Sequence, residues 1–221
     1  MKTVVIIQSN YIPWKGYFDM ISKADVLVIY DEVQYTKNDW RNRNLIKTAN
    51  GKQWLTIPVR QNNLEQKIFE TKVLNQQWVK KHINALQINY SKAAYFNECK
   101  EWYFSLYENL SEYLSEINVK LIRELCNNFA IKTEIIDSRN LNLIGDKNER
   151  LVDACKKLNA THYLSGPAAK TYINETLFHA SSIQVEWMQY GSYKEYPQLY
   201  PPFVHDVSVV DMLFNTGKFT I

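Results

Sequence analysis

The sequence predicts an α/β fold: a parallel sheet with flanking helices, interrupted by an inserted hairpin and helical lobe. Three observations carry this. Runs rich in β-branched, aliphatic and aromatic residues recur at 3–7, 25–30, 132–137, 161–165 and 183–188, the mark of short buried strands. A stretch of helical spacing separates the first two, and a strand–helix–strand unit this short implies parallel pairing. Asn50-Gly51 stands between segments of alternating polarity, the strongest short-range signal for a hairpin.

Each element has its own justification. Residues 3–7 are uniformly apolar or β-branched, and the polar loop Gln8-Ser9-Asn10-Tyr11-Ile12-Pro13 follows. Residues 14–23 place Trp14, Tyr17, Phe18 and Ile21 on one helical face. Pro13 sits at the first turn, where its missing N–H costs nothing. Residues 31–44 are polar and aromatic and form a long loop. Segments 44–48 and 52–59 make the hairpin, and 64–74 is irregular with one short strand. Residues 76–89 are helical with Trp78, Val79, Ile83 and Leu86 on one side. Two more helices follow at 95–107 and 110–129. A helix at 148–158 turns Leu151, Val152, Cys155 and Leu158 inward, making Cys155 a buried thiol. The strand at 161–165 ends at Gly166-Pro167, where another helix is expected. Residues 206–214 form a closing helix with Gly217 as its stop. No repeat, low-complexity tract or Gly/Ser linker interrupts the chain. It therefore reads as a single Rossmann-like domain over 1–221, with residues of about 44–130 forming the inserted hairpin and helical lobe.

Composition narrows the function. With 46% hydrophobic and 22% charged residues, the chain buries enough apolar surface to exclude disorder. It has no run of about 18 uncharged apolar residues, so no membrane span is expected. Its N-terminal apolar stretch is too short for a secretory signal, so a cytoplasmic location is expected. Three scattered cysteines and four histidines show no metal-ligand spacing, and no metal is expected. A net charge of +3 argues against a nucleic-acid partner. The 15 tyrosines and 6 tryptophans stand largely among Asn, Gln, Lys and Arg, a composition suited to a concave polar-aromatic site for a small molecule. Composition leaves the cofactor unknown.

Four segments can carry chemistry, because they lie at strand ends where open parallel sheets bind ligands. The first holds Gln8, Asn10, Tyr11 and Trp14, with Gly16 inside the helix. A helical Gly costs about 1 kcal/mol relative to Ala, so close approach of a ligand or another backbone is expected there. The second runs from Asp31 to Lys47. Its cations Lys37, Arg41, Arg43 and Lys47 suit phosphate or carboxylate. Gln34, Asn42 and Asn44 add polar contacts, Tyr35 and Trp40 can stack on a base or sugar, and Asp31 or Glu32 can act as a base. The third, around Ser165-Gly166-Pro167, offers backbone N–H groups to an anion but lacks the spacing of a nucleophilic serine. The fourth contains Tyr196, Gln198 and His205, a second candidate base. Asp211, inside an apolar helix, needs a partner, for which a cation of the second segment is expected. All these segments are expected to converge on one cavity.

Two resemblances sharpen these expectations. Trp14-Lys15-Gly16-Tyr17 occupies the place of the His-x-Gly-His motif of adenylyl-transferring nucleotidyltransferases, with both histidines replaced. An indole cannot stabilise phosphate charge as an imidazole does, so this supports the fold more than an ATP-dependent reaction. The second covers nearly the whole chain. The segment from Gln8 to Phe18, the block Asp31-Glu32-Val33-Gln34-Tyr35-Thr36-Lys37 with Trp40 and Asn42-Arg43-Asn44, Leu164-Ser165-Gly166-Pro167-Ala168, Tyr196-Pro197-Gln198-Leu199 and the run from Asp211 to Gly217 resemble WbqC-like proteins. Ser9 departs from the Pro of many members, with an expected effect on loop stiffness only. The resemblance implies work on bacterial surface polysaccharide such as O-antigen. It points to a transferase acting on an amino sugar or nucleotide-activated sugar, by acyl or aminoacyl transfer from a donor or carrier protein. A degenerate adenylyl-type enzyme and a non-catalytic sugar- or partner-binding protein remain the alternatives. In the transferase reading Asp31 or His205 is the base. Arg41, Arg43 and Lys47 hold an anion, and Gln8, Asn10, Tyr11 and Trp40 orient the sugar or donor.

Overall fold

The computed structural model describes residues 1–191 and 193–221. In chain order it contains β1 (Thr3–Ile7), α1 (Lys15–Ser22), β2 (Val26–Ile29), β3 (Arg43–Thr48), β4 (Gly51–Thr56), β5 (Val59–Arg60), β6 (Lys72–Val73), α2 (Gln77–Tyr90), α3 (Phe96–Ser105) and α4 (Leu114–Asn128). There follow β7 (Glu134–Asp137), α5 (Lys147–Lys157), β8 (His162–Ser165), α6 (Glu175–His179), β9 (Gln184–Trp187) and α7 (Val209–Thr216).

Five strands form one parallel sheet in the order β7-β2-β1-β8-β9. Val4 lies beside Val26 and Tyr163, and Leu27 beside Ile135, so the most apolar strands take the centre. Alternate side chains part to the two faces. Val4, Ile6, Val26, Val28 and Tyr163 pack with Leu151, Val152 and Cys155 of α5. Val5, Leu27, Ile29 and Leu164 pack with Phe18 and Ile21 of α1. Residues between β2 and β7 supply the β3–β4 hairpin, the β5–β6 pair and helices α2–α4. This insertion has no separate core. Leu55, Leu86, Leu121 and Phe214 of the hairpin, α2, α4 and α7 join the same apolar cluster as α1.

The differences from expectation are local. After Ser165 the chain makes a short 3-10 turn, Pro167–Thr171, and then the five-residue α6, where one longer helix was expected. Helix α4 begins at Leu114, because residues 110–113 are spent crossing to β6. Helix α7 begins at Val209, because Ser208 caps it by accepting from the Val210 N–H at 3.2 Å. It stops at Gly217, whose φ of 69° suits glycine. The buried face of α2 runs through Trp78, His82, Leu86 and Tyr90, with Val79 and Ile83 at its border. No helix among the described residues is long and apolar enough to cross a membrane.

Candidate functional site

The loop after β1 is held from both sides. Tyr11 N–H donates to the Trp40 carbonyl at 3.0 Å. Asn44 Nδ2 donates to the carbonyls of Tyr11 and Ile12, each at 3.0 Å. This leaves Ile12 at a φ of 36°, a strain the three bonds sustain. Beyond Pro13 the Trp14 indole folds back over Gly16, so closely that a Cβ on Gly16 would lie 2.3 Å from the ring. The close approach expected at Gly16 is therefore made by a side chain of the same helix start. The result is a cavity of about 250 Å³ lined by Asn10, Pro13, Trp14, Trp40, Asn44 and Asp206. Trp40 leans on Trp54 at 5.4 Å, and the Arg43 guanidinium lies 4.2 Å from the Trp54 ring, a cation–π contact that braces the outer wall.

Arg41 joins this pocket to the sheet. Its guanidinium donates to Asn10 Oδ1, and at 3.3 Å to Gln8 Oε1. Asn10 lines the aromatic pocket, whereas Gln8 lines a separate crevice of about 360 Å³ on the α5 side of the sheet.

Beneath the pocket lies a buried polar cluster covered by residues 193–206. Lys47 Nζ donates to Gln198 Oε1 at 2.6 Å and to the Pro202 carbonyl. Gln198 Nε2 and Tyr196 Oη donate to Asp211 Oδ2 at 2.8 and 3.1 Å. Asp211 is wholly buried, which raises its pKa to about 6 against the pull of these donors and of Lys47. The expected cation for Asp211 is thus Lys47, acting through the intervening Gln198. Lys15 is buried too. Its ammonium lies 5.1–5.4 Å from the rings of Tyr193, Tyr196 and Phe203 and 2.9 Å from His205 Nδ1. Burial lowers the Lys15 pKa, while burial and then the Lys15 charge lower that of His205. His205 itself stays exposed beside Asp206, whose carboxylate meets Lys52 Nζ at 2.6 Å.

Several expected site residues have other duties. Tyr11 is fully buried away from the pocket. Its hydroxyl meets His82 Nδ1 at 2.8 Å and Tyr107 Oη at 2.9 Å, and His82 Nε2 lies 3.2 Å from the Thr56 carbonyl. The carbonyl can only accept, so Nε2 carries the proton and Nδ1 accepts from Tyr11. Burial holds the His82 pKa at about 4 and keeps the ring neutral. Tyr11 therefore ties the loop to α2 and to the turn after α3, and its hydroxyl is spent on those contacts. Asp31 is 3% exposed and accepts from Ser9 N–H at 2.8 Å, Ser9 Oγ at 2.6 Å and Ser115 Oγ. With its oxygens engaged in the interior it fastens β2's end to α4, and it is unsuited to be a base. Ser9 thus supplies two hydrogen bonds besides setting loop stiffness. Gln34 donates to the Leu64 carbonyl at the surface. Tyr35 and Lys37 line a third cleft, of about 640 Å³, with Asn42. Ser165 is buried at the end of β8, on the side of the sheet away from Trp14.

The first, second and fourth segments thus meet around one pocket, through Asn10 and Trp14, Trp40 and Asn44, and Asp206. The third does not reach it, so the expected single cavity is several. Reading the sequence missed Lys15, Lys52 and Asp206, since nothing in their neighbourhoods announces burial or pairing. The only trace of Lys15 was its place beside Gly16. Among the described residues no group of three or more His, Cys, Asp or Glu side chains could hold a metal ion.

Comparison with known proteins adds the lineage. No solved structure matches the chain. It is 46% identical over 219 residues to the uncharacterized protein Rv1507c of Mycobacterium tuberculosis (strain ATCC 25618 / H37Rv), a likeness covering 98% of this chain and 95% of that relative. The model of the WbqC-like protein family matches residues 8–221, a span that takes in every wall of the pocket and the cluster beneath it. The chain therefore belongs to the WbqC-like protein family.

Proposed function

We propose that the protein is a transferase that moves an acyl or aminoacyl group onto an amino sugar, free or nucleotide-activated, in the assembly of a bacterial surface polysaccharide. The polysaccharide setting comes from the family resemblance. The observation that carries the chemistry is the pocket itself: two indoles, two amides and a carboxylate around about 250 Å³. Drug-sized ligands occupy sites of roughly 300–1,000 Å³, so this volume suits a single sugar ring. Sugar C–H faces pack on the indoles, Asn10 reaches hydroxyls, and Asp206, paired with Lys52, keeps lone pairs to accept from a hydroxyl or amine.

His205 and Lys15 supply the proton acceptor. With Lys15 charged, its ammonium donates to Nδ1 and the ring proton resides on Nε2. With Lys15 neutral, Nδ1–H donates to the amine and Nε2 faces outward as a base. Burial lowers the Lys15 pKa, so the second arrangement is reached at a lower pH than it would be with an exposed lysine. In the reaction the sugar amine attacks the donor carbonyl. The new C–N bond forms, the bond to the donor's leaving group breaks, and the amine proton passes to His205 and then to the leaving group.

The test is incubation with amino sugars and their nucleotide derivatives, each paired with acyl and aminoacyl donors and read by mass spectrometry. A mass gain on the amine, lost in Trp40→Ala and His205→Gln chains that remain folded, supports the reading. Absence of any gain across all pairs with folded protein overturns it.

A further inference from the structure

The crevice on the α5 side of the sheet is a second site, which the transfer chemistry above does not use. It opens where the strand order reverses: β2 and β7 lie on one side of β1, while β8 and β9 lie on the other. Open α/β sheets bind ligands at such switch points, outside the carboxyl ends of the strands. Lys67, Lys147 and Arg150 reach its walls against one carboxylate, Glu32. That carboxylate is already neutralised. Arg150 Nη2 lies 3.1 Å from its Oε1 and Ser138 Oγ donates to Oε2 at 2.7 Å. Arg150 Nε also donates to Tyr30 Oη at 3.0 Å, which fixes the guanidinium in place. Neither Lys67 nor Lys147 has a carboxylate partner among the described residues. Both stand beside aromatic rings, the Lys147 ammonium lying 4.0 Å from the Tyr172 ring and that of Lys67 5.8 Å from Phe69. The crevice therefore holds an uncompensated double positive charge beside a half-exposed tyrosine face.

We propose that this crevice binds a nucleoside diphosphate, with Lys67 and Lys147 on the diphosphate, Tyr172 against the base and Glu32 accepting from the ribose hydroxyls. The charge excess matches a diphosphate. Glu32 follows the end of β2, where dinucleotide-binding sheets place their ribose-binding acid. Each of its oxygens accepts one bond and keeps a lone pair for a hydroxyl. The phosphate grip differs from that of a glycine-rich loop. Here the loop between β1 and α1 is closed by Asn44 and Trp40, so side-chain cations replace backbone amides. A volume of about 360 Å³ is adequate for such a ligand. The inference goes beyond the transfer reading and does not need it, since the crevice and the aromatic pocket lie on opposite faces of the sheet.

The test is calorimetric titration of the full chain with UDP, ADP and pyrophosphate. Both nucleotides are expected to bind. Lys67→Ala and Lys147→Ala are each expected to weaken them about tenfold, the loss of one charge-assisted contact, and to weaken pyrophosphate alike. Tyr172→Ala is expected to weaken the nucleotides and leave pyrophosphate unchanged, while the remote Lys100→Ala changes none. Lys67, Lys147 and Tyr172 are exposed and Lys100 is half-buried, so none of the variants opens the core. No binding of either nucleotide, or binding indifferent to both lysines, overturns the proposal. Pyrophosphate binding as tightly as UDP, with Tyr172→Ala silent, removes the nucleoside from it. A chain that binds UDP but transfers nothing fails the transfer reading alone.

Discussion

Replacing Gly16 with Ala tests whether the Trp14 indole really needs the space above the helix start. Two effects oppose each other. Ala is favoured over Gly inside a helix by about 1 kcal/mol. Against this, the new methyl would sit 2.3–2.7 Å from three atoms of the indole, well inside van der Waals contact at roughly 3.5–4.0 Å. The ring cannot stay. Leaving, it gives up its packing on Tyr190 at 5.2 Å and Tyr193 at 6.0 Å, aromatic pairs of about 0.5–1.5 kcal/mol each. The net expectation is destabilisation by about 0–2 kcal/mol together with loss of one pocket wall. A double-mutant cycle isolates the cause. In a Trp14→Ala background the same Gly16→Ala change meets no ring and should stabilise by about 1 kcal/mol. Urea denaturation of the four chains gives the coupling. Equal effects of Gly16→Ala in both backgrounds would refute the steric account, and with it the reason offered for a glycine at this position.

Other perturbations separate duties that the sequence alone confounds. Asp31→Ala should cost about 3 kcal/mol or more, because it strands the Ser9 and Ser115 donors in the interior; a stable chain after denaturation analysis would return Asp31 to the list of bases. Tyr11→Phe should cost about 1–2 kcal/mol by breaking the bond to His82. Tyr35→Phe should be close to neutral, since that buried hydroxyl has no partner. Thermal melts of the pair distinguish the two. Asp211 holds its pKa near 6, above the ordinary 3.8, so the folded chain binds this proton more tightly than the unfolded one. Stability from this group is full below the ordinary carboxyl pKa and falls as pH rises to about 6, by about 3 kcal/mol at most. Denaturant midpoints across that window should show the fall, and Asp211→Asn should flatten it.

The sheet was legible because its information is local. Apolar runs such as 3–7 and 26–29 admit few readings, and Asn50-Gly51 fixes a turn within a few residues. The pocket was legible in part for the same reason: Asn10, Trp14 and Trp40 sit in segments that follow strand ends, and Asn44 opens the strand after one of them. What the sequence hid depends on partners far along the chain. Asp31 and Tyr11 look like ligand contacts at strand ends until Ser115, 84 residues away, and His82, 71 residues away, take their polar atoms. Lys15 looks like an ordinary surface lysine until residues 193–206 fold over it, His205 lying 190 residues on. The crevice cations come from two stretches, Lys67 and the first turn of α5 with Lys147 and Arg150, some 80 residues apart, and no motif spacing could assemble them. The division of the helix expected from Pro167 into a 3-10 turn and α6 was hidden because five residues carry too little periodicity to register.

Arg41 reaches the rims of two compartments with one guanidinium, its fork split between Asn10 and Gln8. An occupant that captures either amide oxygen takes a hydrogen bond from the same planar group that steadies the other rim. The two chambers are therefore linked through one side chain, and thermodynamic linkage makes any such influence reciprocal: an occupant of either changes affinity in the other by the same factor.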